Sequence, residues 1–268
     1  MEYDPIKERL GVVFNRTPLL RRIFYRLLDV LLLRTWHVHR AFRRIAAHLP
    51  AHARLLDAGS GFGQYDYYMA RRMPAAQIDA VDIKEEQIAD CAAFFTRCGL
   101  DNVHFRVADL TQLREPGVYH MILSVDVMEH ILEDTTVFGH FAASLQPGGV
   151  LLLSTPSDLG PDEGPDDGHA SFIGEHVRKG YPVEEMRSKL AAAGFSDIRI
   201  RYTYSPVGQV AWHLSMQYPI LALGKSRWCF LLLPFWYLAV MIPCLVLNAL
   251  DVLLPHSTGT GLLVEARR

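Results

Sequence analysis

The run Arg54-Leu55-Leu56-Asp57-Ala58-Gly59-Ser60-Gly61-Phe62-Gly63 decides the fold. Its first half is short and apolar and ends on an acid, the pattern of a buried strand. Its second half has glycine at every other position. Glycine lets the main chain turn sharply and approach a ligand with no Cβ in the way. Residues 65–73 then read as a helix. Strand, glycine turn and helix in this order open a nucleotide-type binding unit.

Working outward, the spacing predicts strands over 77–82, 103–107, 119–125 and 150–154. Helices are expected over 85–98, stopped by Gly99, and over 137–145, stopped by Pro147-Gly148-Gly149. Strands alternating with helices imply an α/β fold whose parallel sheet is covered on both faces. Residues 156–171 are rich in Pro, Gly and Asp and read as a loop. A helix over 183–193, ended by Gly194, leads to a sixth strand over 198–204, and 261–266 reads as the last strand. This divides the chain into N-terminal helices (1–50), a core (51–204), an apolar insert (205–258) and the returning strand (259–268).

Two carboxylates fit the nucleotide reading. Asp57 at the strand end can accept from a ligand ammonium. Asp82 ends the next strand 19 residues after Gly63, the place for a carboxylate that binds two ribose hydroxyls. A dinucleotide site would usually read G-x-G-x-x-G. Here Gln64-Tyr65-Asp66 follow Gly63 with no further glycine in register.

Five blocks resemble the class I S-adenosylmethionine (SAM)-dependent methyltransferases. They are Leu55 to Gly63, Val81-Asp82-Ile83, Ala108-Asp109-Leu110, Ser124-Val125-Asp126-Val127-Met128-Glu129-His130, and Pro147-Gly148-Gly149. The resemblance covers 53–155 and, more loosely, 182–204. It implies a Rossmann-like sheet of seven strands, six parallel and the last antiparallel, with SAM as cofactor. It implies that Asp57 and the turn Gly59, Ser60, Gly61 and Gly63 hold the methionine part. Asp82 would take the ribose, Ile83 would pack on the adenine, Asp109 would bond the adenine amino group with Leu110 beside it, and Val125 would line the same site.

Methyl transfer from a sulfonium is an in-line displacement, so the protein must align the nucleophile and exclude water. Asp126, Glu129 and His130 lie just past the fourth strand, on the edge where ligands bind in such sheets. Three readings stay open. His130 is a general base for a hydroxyl acceptor, with Asp126 beside it. Alternatively Asp126, Glu129 and His130 hold a divalent metal, or the three are only the polar start of a helix. Either of the first two suits the quinone-biosynthesis O-methyltransferases, which this segment resembles. His169, Glu175, His176, Arg178 and Tyr181 form a second polar cluster in the loop after the fifth strand. In related enzymes this region closes over the acceptor, so His169, His176 and Tyr181 join the candidate catalytic residues, and Arg178 suits an anion.

Half of the 268 residues are apolar and the net charge is −2, which argues against a nucleic-acid partner. Residues 1–50 hold ten Lys/Arg against four Asp/Glu, a local charge of +6. Residues 17–49 carry a broad apolar stripe with Arg21, Arg22 and Arg26 beside it. Such a helix either packs on its own domain or lies on an anionic membrane, each arginine adding about 1 kcal/mol at the headgroups. No early apolar run marks a signal peptide, and the four cysteines form no C-x-x-C pair.

Within the insert, 228–250 is 23 residues without a charge, long enough for a bilayer crossing of ~20 residues. Pro234, Pro243 and Asn248 interrupt it. In a sheet of the implied topology the sixth strand ends, and the seventh begins, at the carboxyl edge. The insert therefore leaves and returns on the same side, as a hairpin, an even number of crossings or a soluble cap. The expectation is a monotopic enzyme at the cytoplasmic face of the cell membrane, methylating a lipid, isoprenoid or quinone-like acceptor. Two alternatives stand beside it: a soluble small-molecule methyltransferase whose insert is a lid or dimer surface, and a non-catalytic membrane scaffold of the same fold.

Overall fold

The structure is a computed structural model that describes residues 17–160 and 177–268. Seven strands form one sheet: β1 (Arg54–Ala58), β2 (Gln77–Asp82), β3 (Val103–Val107), β4 (Tyr119–Val125), β5 (Leu145–Pro156), β6 (Ser196–Thr203) and β7 (Gly261–Arg267). Their order is β3-β2-β1-β4-β5-β7-β6. β7 runs antiparallel to both β5 and β6, and the pairings among β1 to β5 are parallel. The strand order reverses between β1 and β4, and ligands bind in the crevice outside the carboxyl ends at such a point.

Successive strand residues alternate between two cores, as the two-residue period of a strand requires. Leu55, Met121 and Leu123 join one cluster; Leu56, Ile122 and Leu151 join the other. The first cluster is covered by α1 (Pro18–Leu31), α2 (Leu33–Ala46), α3 (Gln64–Arg72) and α4 (Glu85–Arg97), through Tyr25, Phe42, Tyr67 and Phe94. The second is covered by α5 (Asp134–Ser144) and α6 (Val183–Ala192), through Phe138, Phe141, Met186 and Leu190.

α1 begins as its sequence demands: the Thr17 side chain accepts from the Leu20 amide at 3.2 Å and Pro18 occupies the first turn. Its faces are reversed from those of an ordinary surface helix. Arg21 and Tyr25 are buried, while Leu19, Ile23, Leu27 and Val30 are exposed.

The insert between β6 and β7 is a helical hairpin. Thr203 pairs with Gly261, so the two ends of the insert meet. α7 (Pro206–Trp212) runs through a π turn (His213–Gln217) into α8 (Tyr218–Lys225); a 3-10 segment (Arg227–Leu232) then leads to α9 (Leu233–Leu253). Pro219 lacks the amide that would bond Ser215 in an α-helix. The Ser215 carbonyl instead accepts from the Tyr237 hydroxyl at 2.8 Å, and Leu214 accepts from the Trp236 indole at 2.9 Å, which ties α9 to the turn. Pro234 lies in the first turn of α9 and Pro243 inside it without ending it. The reversal therefore falls at the Ser226-capped 3-10 segment, not at the prolines that the sequence suggested.

α9 is also reversed. Cys244, Asn248 and Asp251 are buried, and Phe235, Leu238, Ile242 and Val246 are exposed, Leu238 by 81%. The Asp251 carboxylate is fully buried and holds the hairpin to the core. It accepts from His37 at 2.7 Å, the Ser205 amide at 2.9 Å, the Ser205 hydroxyl at 2.5 Å and the Gly208 amide at 3.1 Å. A side chain from α9 thus caps the N-terminus of α7, which has no cap of its own.

Candidate active site

The glycine turn sits between β1 and α3 at the reversal point. Gly59, Gly61 and Gly63 all have positive φ, at 93°, 50° and 73°. A Cβ on Gly59 would lie 2.2 Å from the Val127 side chain, so this position admits only glycine. A Cβ on Gly61 would meet nothing within 4 Å, which leaves room above the turn. The amides of Gly59 and Ser60 both donate to the Val81 carbonyl at 2.9 Å. The Asp82 carboxylate accepts from the Gly61 amide at 2.9 Å and from the Lys84 amide at 3.0 Å, which fixes it at the rim of the turn.

Asp57 and Asp66 are buried together under the turn. Burial raises the Asp57 carboxyl to about 7, and burial together with Asp57 raises that of Asp66 well above its ordinary value. Two adjacent buried carboxyls cannot both ionise freely, so they titrate as a pair. Asp57 Oδ2 and Ser60 Oγ are buried without a protein partner. Unsatisfied buried polar atoms are rare in folded proteins. A cationic, hydrogen-bonding ligand at the turn fits both.

The other residues expected to form the cofactor wall lie at the ends of β2, β3 and β4. The Ala108 amide donates to the Asp82 carbonyl at 3.0 Å, so the ends of β2 and β3 lie side by side. Ile83 is 63% and Val107 52% exposed at this edge, two apolar side chains open to solvent beside a polar turn. Asp109 is exposed and its Oδ1 accepts from the amide and hydroxyl of Thr111, both at 2.8 Å; Leu110 is buried behind it. Val125 is buried at the end of β4.

The candidate catalytic residues fare differently. Asp126 follows β4 with φ 52°, a left-handed conformation that costs an ordinary residue about 1–3 kcal/mol. Its carboxylate forms an ion pair with Arg34 of α2. The Arg34 Nε also lies 3.4 Å from the Tyr65 hydroxyl, and the Arg34 main-chain amide donates to the Tyr204 hydroxyl at 3.1 Å. Glu129 is fully buried with Oε2 accepting from Thr155 at 3.0 Å, and burial raises its carboxyl above the ordinary range. His130 ends a 3-10 turn (Met128–His130) on the exposed rim.

Three expectations are corrected. Asp126 lies outside the helical turn of Glu129 and His130, and among the described residues no three His, Cys, Asp or Glu side chains are grouped to hold a metal. The metal reading of Asp126, Glu129 and His130 therefore has no geometric basis. Tyr181 is fully buried, and its hydroxyl donates toward the Met128 carbonyl at 3.0 Å and the Asp134 carboxylate at 2.8 Å. It buttresses the loop and is not open to a substrate. Arg178 is spent in the same cluster, 2.8 Å from Asp134 and 3.0 Å from the Ile131 carbonyl. His169, Glu175 and His176 lie outside the described residues.

Sequence reasoning missed the role of α1 and α2. The sequence leaves the helix of Arg21 open between packing on its own domain and lying on a membrane. Arg21 is buried, with Nη2 donating to the Phe62 carbonyl at 2.9 Å and Nη1 2.5 Å from Asp90. Tyr25 also donates to Phe62. Arg34 belongs to the mouth of the site. The available signal was the interruption of the helix stripe by arginine at 21 and 34, which the periodicity alone assigned to solvent.

Comparison with known proteins agrees with this geometry. Residues 55–149 match the model of a methyltransferase domain family. The ubiquinone biosynthesis O-methyltransferase of Xanthomonas euvesicatoria is 33% identical over 107 residues, 39% of this chain and 44% of that protein. Phosphoethanolamine N-methyltransferase 1 of Arabidopsis thaliana is 29% identical over 150 residues, 54% of this chain and 29% of that protein. The chain thus spans less than half the length of these curated relatives. The solved structure of phosphoethanolamine N-methyltransferase 2 of Haemonchus contortus, in complex with phosphomonomethylethanolamine and S-adenosylhomocysteine, matches with a TM-score of 0.62 at 17% identity. That alignment covers 87% of this chain and 53% of the other. Residues 55–149 thus match a methyltransferase domain, and the chain shares the fold of that methyltransferase structure.

Proposed function

We propose that the protein transfers the methyl group of SAM to a lipophilic acceptor taken from a membrane surface, a lipid, isoprenoid or quinone-like molecule. Bound SAM supplies an activated methyl group on a sulfonium. Asp57 Oδ2 and the Ser60 hydroxyl, both buried without a protein partner, hold the methionine part over the glycine turn, and Asp82, already pinned by the Gly61 amide, takes the ribose hydroxyls. Ile83 and Val107 flank the adenine, and Asp109 bonds its amino group. Arg34, Asp126, Tyr65 and Tyr204 line the acceptor side, with His130 on the rim to accept a proton where the acceptor loses one.

The observation that carries the membrane part is the reversed polarity of α1 and α9. One helix among the described residues, Trp228–Leu253, is long and apolar enough to cross a membrane. The two ends of the insert that contains it are tied, however: Asp251 to His37 and the start of α7, and β7 to β6. A single crossing would carry β7 away from the sheet, so the hairpin lies in one leaflet. Contiguous exposed apolar surface of this kind marks an interaction site, and each side chain that enters an apolar phase gains up to about 1.5–3 kcal/mol.

The test is flotation with phosphatidylcholine vesicles of the intact chain and of a variant with Phe235, Leu238 and Ile242 changed to Ser. All three are exposed, so the fold survives the change. Recovery of the parent with the vesicles and of the variant at the bottom supports the reading. A parent that stays at the bottom and sediments as a dimer assigns the same face to a second copy of the chain and overturns it.

A further inference from the structure

A cavity of about 390 Å³ lies outside the methyl-transfer site, where α1, α2, α3 and the end of α9 meet. Four arginines line it: Arg26 of α1, Arg43 of α2, and Arg71 and Arg72 of α3. All four are exposed and the single acid on the wall is Asp29, a local charge of +3. Asp29 accepts from the Gln64 side chain at 2.9 Å and is also stabilised by Arg26, which leaves Arg43, Arg71 and Arg72 without an acid of their own on the wall. Arg43 Nε donates along its own helix to the His39 carbonyl at 3.3 Å, and Arg71 Nη1 to the Tyr67 hydroxyl at 3.0 Å.

The floor is aromatic. His39 stacks on Tyr68 with ring centroids 3.5 Å apart and planes 9° from parallel. His39 Nε2 is buried without a hydrogen-bond partner, and the nearest carboxylate oxygen, of Asp29, is 3.9 Å away. Burial and then Arg43 hold this imidazole neutral, down to about 3, so one of its nitrogens remains a donor and the other an acceptor. An unpaired buried ring nitrogen in a pocket with four arginines and one acid points to a missing ligand with acceptor oxygens and negative charge.

We propose that this pocket binds the phosphate of an anionic lipid headgroup. The inference rests on the membrane reading above and specifies the lipid. Its walls support the lipid source over a free phosphate. Arg26 lies directly beside the exposed stripe of Leu19, Ile23, Leu27 and Val30 on α1, at helical spacing. Val252, on the opposite wall, belongs to α9, the other helix with an exposed apolar face. A phosphate seated between these elements has its acyl chains leaving along apolar side chains. Guanidinium groups take phosphate oxygens in paired hydrogen bonds, and the Tyr and Trp side chains of the wall suit the interfacial zone.

The experiment uses the full chain and measures partition onto vesicles of phosphatidylcholine alone and of phosphatidylcholine mixed with phosphatidylglycerol. The parent binds the anionic vesicles more tightly. Arg43→Gln with Arg72→Gln removes that gain, a loss on the order of tenfold, and leaves partition onto phosphatidylcholine unchanged. A control pair, Arg97→Gln with Arg114→Gln, retains it; both residues are exposed and neither lines the pocket. Equal losses in the two pairs would overturn the pocket and leave a diffuse charge effect. A parent that binds both vesicle types equally overturns the headgroup assignment and leaves the membrane reading standing. A parent that binds neither overturns the membrane reading itself. Calorimetry with glycerol phosphate separates the remaining source: saturable binding that the Arg43/Arg72 pair abolishes, with no vesicle preference, assigns the pocket to a free phosphate compound.

Discussion

The Arg21 guanidinium donates to the main-chain oxygen of Phe62 at 2.9 Å, so a helix that precedes the Rossmann-like core holds the middle of its glycine turn. The same guanidinium lies 2.5 Å from Asp90 and 4.6 Å from the centre of the Phe94 ring. The element exposed to the proposed membrane and the element that cradles the cofactor are therefore in direct contact. Arg21→Gln is expected to cost about 2–3 kcal/mol in urea denaturation, since it removes charge-assisted hydrogen bonds in a mostly buried place. It is also expected to weaken SAM binding by calorimetry. An unchanged SAM affinity in the folded variant would disconnect α1 from the turn.

Asp57 links cofactor binding to pH. Burial raises its carboxyl to about 7 in the protein without ligand. A carboxyl raised on folding contributes stability that is complete below the ordinary carboxyl range and is lost as pH rises through about 7. The ammonium of SAM instead requires the ionised form. SAM affinity is therefore expected to rise with pH, by up to about tenfold per unit, and to level off above 7. Asp57→Asn should flatten the affinity profile. A flat affinity profile in the parent would show that this carboxyl does not meet the ammonium.

Asp251 makes the hairpin depend on its anchor. A Cβ at Gly208 would lie 2.4 Å from Asp251 Oδ2 and 2.5 Å from the Leu33 side chain. Gly208→Ala is expected to destabilise by about 2 kcal/mol or more, through lost bonds to a buried charge. Burial pushes the Asp251 carboxyl up, but His37 and Ser205 outweigh it and hold it below its ordinary value. Its contribution is present above the ordinary carboxyl range and is lost as pH falls through the lowered folded value. Limited proteolysis should thus cut 205–258 in acid sooner than the core. Simultaneous loss of both would refute a separate anchor.

Arg34 and Asp126 predict a split in kinetics. The pair is about a third exposed and contributes little to stability, about 0–1 kcal/mol. Arg34→Gln is expected to leave SAM affinity unchanged and to lower kcat/KM for the acceptor by tenfold or more. Asp126→Gly, which suits the left-handed φ of 52°, should keep the protein at least as stable while losing the same step. Equal activity in both variants would remove this pair from the acceptor side.

The core was legible because its signals are local and periodic. The alternation of strands and helices, the glycine turn and the acids at 57 and 82 each fixed one structural feature, and their order fixed the sheet. The start of β5 was misjudged: Pro147-Gly148-Gly149 reads as a helix stop, yet it lies within the long strand Leu145–Pro156. Arg21 and Arg34 depart from the expectation because helical periodicity takes a charged residue to face solvent. Arg21 and Arg34 are turned inward by partners 41 and 92 positions away, at Phe62 and Asp126. No local pattern encodes such pairings. Tyr181 misled for a related reason: its residue type suits catalysis, and only the contact with Asp134 reveals a buttress.

The most direct test of the account is transfer of labelled methyl from SAM into a total lipid extract presented in vesicles. The account predicts label in the organic phase, absent with Asp82→Ala and reduced in the Phe235, Leu238 and Ile242 to Ser variant, with mass spectrometry locating one methyl on a lipid-soluble product. Label that stays in the aqueous phase, transferred equally well without vesicles, would contradict it.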